Sequence, residues 1–332
     1  MRNRTFLGAL AALSMLALSA CGATAAKQPG TGAAGEPVSG LRIMVPNTPG
    51  GGYDTTARTA AKVMEDTKIA SGVQVFNLPG AGGTVGLQRT INEKGNGKLA
   101  MLMGLGVAGA SYASKSEATL TQTTPIAKLI EEAGAIVVSK DSPYQTINDL
   151  VEAWKKDPKK VTVGGGSSPG GPDHLLPMQL AKAVGIDPKQ VNFVAYAGGG
   201  ELLPALLGNK IAFGASGYGE FLDQVEAGTV RILAVTSAEP IEVVKDVPTL
   251  KASGIDLVFS NWRGIVAPPG ISDADKKTWI DAVTRMHDSQ EWKAELTKRG
   301  WTDSFLTGDQ FTAYLAEQDK SVAAILSELG LA

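Results

Sequence analysis

The spacing of apolar and polar positions predicts that the folded part of the chain opens with a strand, a glycine turn and a helix. Residues 41–45 place apolar side chains at alternate positions, as a half-buried strand does. Residues 57–64 place them at the i, i+3, i+4 and i+7 spacings of a helix. Between these segments lie three consecutive glycines, 50–52, and Asp54 follows where a helix N-cap is expected. The pattern therefore predicts a tight turn whose N–H groups point outward at a helix start.

The same arrangement of strand, glycine loop and helix occurs four times, in two pairs. The segments 45–58 and 73–84 form the first pair, and 161–174 and 192–201 form the second. Each pair predicts a right-handed βαβ unit, whose parallel strands bring both glycine loops to the same end of the sheet. Ligands of open α/β sheets bind outside those carboxyl ends, and a helix start attracts anions. We therefore expect an α/β protein with two lobes that face each other across one cleft.

Residues 1–20 have the features of a secretory signal. Arg2 and Arg4 precede an apolar run that is rich in small residues and too short for a transmembrane anchor. The run ends in Leu-Ser-Ala-Cys21-Gly, which resembles the lipobox of bacterial lipoproteins and predicts a lipid on Cys21; an ordinary signal with an incidental cysteine is the alternative. Residues 21–40 are rich in Gly, Ala, Pro and Thr, as flexible tethers are. We expect an exported protein, anchored by lipid to the outer face of the cell membrane.

Net charge and the scarcity of histidine and cysteine argue against several classes of function. Without Arg2 and Arg4, 29 of the 31 basic residues remain against 33 acidic ones, so the net charge is −4. No basic patch is present, which argues against nucleic acid as a partner. Two histidines and one cysteine argue against a transition-metal site, and a single cysteine excludes an internal disulfide. We expect no metal and no cofactor, and a bound anion would depend on local N–H groups.

One glycine pattern matches the dinucleotide-binding fingerprint. Gly104, Gly106 and Gly109 follow the apolar strand 99–103 with the spacing G-x-G-x-x-G. The run from there to residue 124 lacks the apolar periodicity of a crossover helix, which argues against a nucleotide site. We expect a loop that lines the same cleft.

A second pattern, G-x-S-x-G, matches the nucleophile elbow of serine esterases, with Ser168 as the nucleophile. The elbow requires a helix directly after the serine, whereas residues 169–172 are all Pro or Gly. The one late histidine, His287, lies in a helix among charged neighbours. We therefore predict no catalytic residue and no enzyme; a serine esterase that uses Ser168 is the alternative.

Six short motifs together resemble one protein family. They begin at Pro46, Asn77, Asp141, Gly166, Ala234 and Asp246 and read PxxPGGGxDxxAR, NxPGAGG, DSPYxT, GSS followed by His174-Leu175, AVTS and DVPT. They resemble the solute receptors of tripartite tricarboxylate transporters, the Bug-type proteins, over nearly all of residues 41–332. The resemblance implies a two-lobed periplasmic-binding-protein type II fold (a Venus flytrap) that captures a small organic carboxylate, such as a tricarboxylate or a dicarboxylate. It also implies delivery to a two-component membrane permease; a ligand-sensing lipoprotein of a two-component signalling system is the alternative. We expect a monomer.

The lobes and the site residues can be assigned by position. Lobe 1 is predicted to comprise 41–138 and 262–332, and lobe 2 to comprise 139–261. In the family, backbone groups of the first two glycine loops hold one carboxylate of the ligand, and the second lobe reads the rest. Carried over by position, the ligand-binding residues are Pro49, Gly50, Gly51, Gly52, Asp54, Gly80, Ala81, Gly82, Gly83, Thr84, Ser167, Ser168, His174, Tyr196, Gly198, Gly199 and Ser216.

Four polar residues near these loops have two interpretations each. We assign Asp54 to helix capping, with direct ligand contact as the alternative. His174 begins a helix and is either a capping or core histidine or a ligand contact. Arg58 is expected to pair with an acid or to cover a lobe surface, and Arg263 either reads ligand charge in the cleft or does not reach it.

The chain departs from the family pattern at three positions in the second lobe. Ala197 and Glu201 stand in a segment where the family has Tyr-Lys-Gly-Gly-x-Pro, so a lysine is lost and an acid is gained. Ser216 stands where an acidic residue is common. These departures leave the chemistry of the distal part of the ligand open.

Overall fold

The structure is a computed structural model that describes residues 36–196 and 198–330. The predicted signal peptide, Cys21, most of the predicted tether and Ala197 lie outside these described residues. The strands are β1 (Val38–Ser39), β2 (Arg42–Val45), β3 (Ala70–Ser71), β4 (Gln74–Asn77), β5 (Leu99–Gly104), β6 (Thr124–Ser139), β7 (Val163–Gly165), β8 (Phe193–Ala195), β9 (Phe213–Gly217), β10 (Val230–Val235), β11 (Ser260–Ala267) and β12 (Thr302–Thr307). The α-helices are α1 (Gly52–Asp66), α2 (Thr84–Asn92), α3 (Leu105–Ala113), α4 (Ile147–Lys156), α5 (Pro172–Ala183), α6 (Gly199–Leu207), α7 (Leu222–Glu226), α8 (Asp273–Asp288), α9 (Gln290–Arg299) and α10 (Gly308–Glu328).

The first βαβ unit forms as the sequence predicts. β2 pairs in parallel with β4 on one side and with β5 on the other, and α1 and α2 lie on the connections. Ala57, Ala60 and Met64 of α1 are fully buried, because their helical spacing turns one face of α1 toward β2 and β4. The glycine loops before α1 and α2 therefore follow the carboxyl ends of neighbouring parallel strands.

The second βαβ unit repeats this topology. β7 pairs in parallel with β8 and with β9, and α5 and α6 lie on the connections. The order β8-β7-β9 matches β4-β2-β5, with the earliest strand of each unit in the middle. The loops 166–171 and 196–198 again follow the carboxyl ends of parallel strands, so both predicted units are confirmed.

One long strand, β6, joins the two halves of the mixed sheet. Residues 124–133 of β6 pair with β11 and partly with β12, whereas residues 134–139 pair with β9 and β10, all antiparallel. We call β2, β4, β5, β11, β12 and residues 124–133 the first half, and β7 to β10 with residues 134–139 the second half. The lobe boundaries after residues 138 and 261 stay a prediction; the change of β6 partners falls between Ala133 and Gly134.

The helices after β11 pack on the first half. α8 contacts α1 and β6, α9 contacts α1, and α10 contacts β6 and α3. Trp279 and Trp292 are fully buried there, and the indole N–H of Trp279 donates to the carbonyl oxygen of Gly97 at 2.9 Å. None of the helices in the described part of the chain has the length and apolar character that a membrane crossing requires.

Candidate functional site

The first glycine loop ends at the start of α1, three residues earlier than the sequence suggests. The N-cap is Gly51, so the prediction of Asp54 as N-cap is wrong, and Asp54 lies in the first turn. Its carboxylate turns back and accepts hydrogen bonds from the N–H of Gly50, from Nε of Arg58 and from Nδ2 of Asn77, each at 2.9 Å. Burial alone would raise the pKa of Asp54, but these hydrogen bonds outweigh it and lower the pKa below 3.8. Asp54 therefore holds the loop, and Arg58 pairs with an acid as predicted.

The N–H groups at the start of α1 are left free by this arrangement. Within the described residues, the N–H groups of Gly51, Gly52 and Tyr53 donate to no other group of the chain. They stand at the positive end of a helix of 15 residues. This is the geometry in which a helix start accommodates a carboxylate or another anion.

The second glycine loop reaches across to the second half of the sheet. Residues Ala81–Gly83 form a short 3-10 turn, in which Gly82 and Gly83 have positive φ angles of 65° and 100° that suit glycine. A Cβ atom at Gly82 would lie 3.8 Å from Cβ of Ser168, in the loop after β7. The loops after β4 and after β7 therefore lie next to each other.

The third loop, residues 166–171, is held by the first turn of α5. The N–H of Asp173 donates to Oγ of Ser167 at 3.0 Å, and the N–H of Gly170 donates to Nδ1 of His174 at 3.2 Å. Burial lowers the pKa of His174 to about 4, so its ring is neutral and able to accept this bond at neutral pH. His174 thus positions the loop; ligand contact by His174 stays a prediction.

The loop after β7 lacks the form of a nucleophile elbow. α5 begins at Pro172, with Gly171 as its N-cap, so no helix starts directly after Ser168. The side chain of Ser168 forms no hydrogen bond with a histidine among the described residues, and His287 pairs with Asp288 and Asp303 instead.

The segment after β5 is a helix, and the expectation of a loop there is wrong. α3 is buried along most of its length, so it lacks the polar face that makes a helix visible in a sequence. Its glycines allow close packing: a Cβ at Gly106 would lie 2.9 Å from the hydroxyl of Tyr53, and one at Gly109 would lie 1.7 Å from the carbonyl oxygen of Gly170. These glycines of the fingerprint therefore allow α3 to pack closely against α1 and the third loop.

The fourth loop adjoins the third. A Cβ at Gly166 would lie 3.1 Å from Cα of Gly198, and one at Gly199 would lie 2.7 Å from Oε2 of Glu220. Tyr196 extends the β7–β8 pairing by donating its N–H to the carbonyl oxygen of Gly165 at 2.8 Å. The parallel strands of the two halves run in opposite directions, so their carboxyl ends and the four glycine loops meet near the middle of β6. Contact of the loop residues with a ligand stays a prediction.

A buried ion pair that the sequence did not reveal lies between these loops. Arg263 of β11 donates to Glu132 of β6 and, at 3.3 Å, to the hydroxyl of Thr56, and both charged side chains are buried. A Cβ at Gly52 would lie 2.3 Å from Nη2 of Arg263, and one at Gly217 would lie 2.9 Å from Glu132. Arg263 therefore lies against the start of α1, and its reading of ligand charge stays a prediction. The sequence offered one indication of this ion pair, because Glu132 and Arg263 are charged residues inside apolar strands.

Two more carboxyl groups face this ion pair. Burial and then the charge of Glu220 raise the pKa of Asp173 well above 3.8. Burial and then the charge of Glu132 raise the pKa of Glu220 to about 7, although Arg263 and Ser216 oppose the shift. Glu220 is exposed to solvent, while the protein around it still disfavours its charge. The hydroxyl of Ser216 donates to Oε2 of Glu220 at 3.2 Å.

Sequence comparisons identify relatives of this chain. The family described as "Tripartite tricarboxylate transporter family receptor" matches residues 56–331. A Cupriavidus necator protein named "UPF0065 protein in gbd 5'region" is 28% identical over 295 residues, which cover 88% of both chains. BugT of Bordetella pertussis is 25% identical over 302 residues, which cover 89% of this chain and 90% of BugT.

Solved structures share the fold. MatC of Rhodopseudomonas palustris, solved with bound malate, has a TM-score of 0.75 at 22% identity and covers 87% of this chain and 99% of its own. A second R. palustris protein, solved with adipate, has a TM-score of 0.79 at 19% identity and covers 89% of this chain and 98% of its own. The fold is that of the two-lobed periplasmic solute-binding proteins, as the sequence predicts.

Proposed function

Because the chain belongs to the tripartite tricarboxylate transporter receptor family, whose members are extracytoplasmic solute-binding receptors and not enzymes, we propose that it captures a small organic carboxylate and delivers it to a two-component membrane permease. The ligand would bind between lobe 1 (41–138 and 262–332) and lobe 2 (139–261). Structural relatives solved with malate and with adipate support a carboxylate as the ligand.

The observation that carries this proposal is that glycine loops of both halves lie together beside free N–H groups at the start of α1. The start of α1 offers the N–H groups of Gly51, Gly52 and Tyr53, and Gly82 brings the second loop against Ser168 of the other half. Hydrogen bonds to a charged group contribute roughly 1.5–3 kcal/mol each. Three or four of them, less the cost of association, correspond to about −8 kcal/mol and a micromolar dissociation constant.

Ligand contact from both halves would favour the closed arrangement. A ligand that touches the α1 start and the loop after β7 binds the closed form more tightly than the open form, so it shifts a hinge equilibrium. The permease would then recognise the closed receptor. The chain is proposed to act as a monomer.

The test of the anion seat is a pair of substitutions at Gly51. Gly51 has a φ of −77°, which any residue adopts, and a Cβ there would have only the Asn47 side chain within 3.4 Å. Gly51→Asp places a carboxylate over the free N–H groups of α1, where it caps the helix and repels an anion. Gly51→Ala adds the Cβ alone and is the control.

We expect Gly51→Asp to keep or raise the melting temperature and to abolish binding across a panel of organic acids, measured by isothermal titration calorimetry. Gly51→Ala should bind within about threefold of the wild type, which is less than 1 kcal/mol. Unchanged affinity in Gly51→Asp would refute the placement of the site.

Anchoring through Cys21 is a separate proposal, because Cys21 lies outside the described residues. The lipobox-like ending of the signal is the feature that supports it. We expect the wild type to sediment with membranes and to incorporate labelled fatty acid, and we expect Cys21→Ser to lose the label and become soluble. A soluble wild-type protein without label would refute it.

A further inference from the structure

Charge is unbalanced on the second-half side of the proposed site. The single guanidinium of Arg263 interacts with Glu132, Asp173 and Glu220. It forms its ion pair with Glu132. Among the described residues, neither Asp173 nor Glu220 forms an ion pair of its own. Two carboxyl groups in one cleft therefore lack a cation.

Hydrogen bonds do not compensate for the missing cation. Asp173 is only 9% exposed, forms no ion pair among the described residues and has the hydroxyl of Ser216 as its hydrogen-bond partner. Ser216 lies against both carboxyl groups, but its one hydroxyl proton is directed at Glu220. Two carboxyl groups that share one hydroxyl donor and have no cation of their own indicate that a ligand supplies further donors.

Resting on the proposed function, we infer that the ligand is a small carboxylic acid that also carries a positively charged amine. Its carboxylate lies on the N–H groups at the start of α1, and its ammonium lies between Asp173, Glu220 and the hydroxyl oxygen of Ser216. A primary ammonium has three donors, and these three side chains offer it three acceptors.

Two other ligand chemistries fit this side of the site less well. A plain dicarboxylate would bring its second negative charge against two carboxyl groups, and like charges at this range repel or force protonation. A divalent cation would need a set of protein ligands, and the described residues hold no group of three or more His, Cys, Asp or Glu side chains arranged for one. An amine satisfies both carboxyl groups without further protein ligands.

The experiment compares acids that differ only in the amine. Isothermal titration calorimetry of the exported chain with Cys21→Ser would use L-aspartate against L-malate and succinate, L-glutamate against glutarate, and 4-aminobutanoate against butanoate. We expect the amine to strengthen binding by about tenfold or more in at least one set, as charge-assisted hydrogen bonds do.

Three variants test whether the preference for an amine arises from Asp173 and Glu220. Glu220→Gln and Asp173→Asn keep the side-chain shape and remove one charge each, so each should weaken binding of the amino acid by about tenfold and leave the plain acid unchanged or tighter. Glu226→Gln removes the same charge from an exposed position at the end of α7 and should change neither. Melting temperatures of the variants establish that they are folded.

The outcomes separate this inference from the proposed function. Equal affinity for amino and plain acids, or equal weakening of both by Glu220→Gln, overturns the inference and leaves carboxylate capture standing. Citrate binding that needs Mg²⁺ and disappears with a chelator also overturns it, in favour of a metal-bound acid. Absence of binding by every acid overturns the proposed function, and the inference with it.

Discussion

The carboxylate of Asp54 should contribute far more to stability than the arginine that pairs with it. Asp54 is 4% exposed and accepts from Gly50, Arg58 and Asn77, so Asp54→Ala removes the acceptor of the Gly50 N–H and one of the two acceptors of the Asn77 amide. Losing charge-assisted hydrogen bonds in a partly buried site should cost about 2–4 kcal/mol of unfolding free energy. Arg58 has a side chain that is 50% exposed, so Arg58→Ala should cost only about 0.5–1 kcal/mol.

Urea unfolding followed by circular dichroism measures both values, and Asp54→Asn isolates the charge. Because the folded-state pKa of Asp54 is lowered, its charge stabilises the fold above the ordinary value of 3.8, and this contribution is lost as pH falls through the folded-state pKa. The difference between wild type and Asp54→Asn should therefore be complete at neutral pH and shrink in acid. Equal costs for Asp54→Ala and Arg58→Ala, or a difference that grows in acid, would refute the assignment of Asp54 as the residue that holds the loop.

Three other substitutions test the packing and the cleft charge. Gly109→Ala puts a Cβ 1.7 Å from a carbonyl oxygen of the second half, so ligand affinity should fall by about tenfold, and small-angle scattering with ligand should show a more open receptor. The pKa of Glu220 rises from 4.5 to about 7 on folding, so its ionisation destabilises the ligand-free protein as pH rises across that range. Measured above pH 7, Glu220→Gln should therefore have a higher melting temperature than the wild type, whereas below pH 4.5 the two should be equal. Gly300→Ala clashes with the hydroxyl of Tyr218 and should lower the melting temperature more than Gly254→Ala, which has positive φ but open space.

The repeated units were accessible to sequence reasoning because local patterns specify them. Alternating strand residues, the apolar stripe of α1 and the glycines between them lie within about fifteen residues of one another, and right-handed crossovers fix how such pieces pair. The parallel pairing of β2 with β4 and of β7 with β8 follows from these features alone. The family motifs then indicated the two-lobed fold.

The features that the sequence did not predict depend on contacts between residues that are distant in sequence. α3 was missed because a helix buried on most sides has no polar face, and the start of α1 was misplaced because the carboxylate of Asp54 bonds Gly50 rather than capping the helix. Of the buried charges, Arg263 was considered from the sequence, but its carboxyl neighbours Glu132, Asp173 and Glu220 were missed because they come from three other segments. Only the pairing of β6 with β9 and β11 brings them together.

The shared strand β6 has a consequence for how the protein melts. Its sixteen residues supply hydrogen-bond partners to both halves, so neither half can lose its sheet without exposing backbone groups of the other. The chain from Pro37 onward should therefore unfold in one cooperative calorimetric transition, despite its division by a cleft. A small molecule held between the glycine loops would then protect even the distant C-terminal helices from denaturation, by mass action on the whole folded chain.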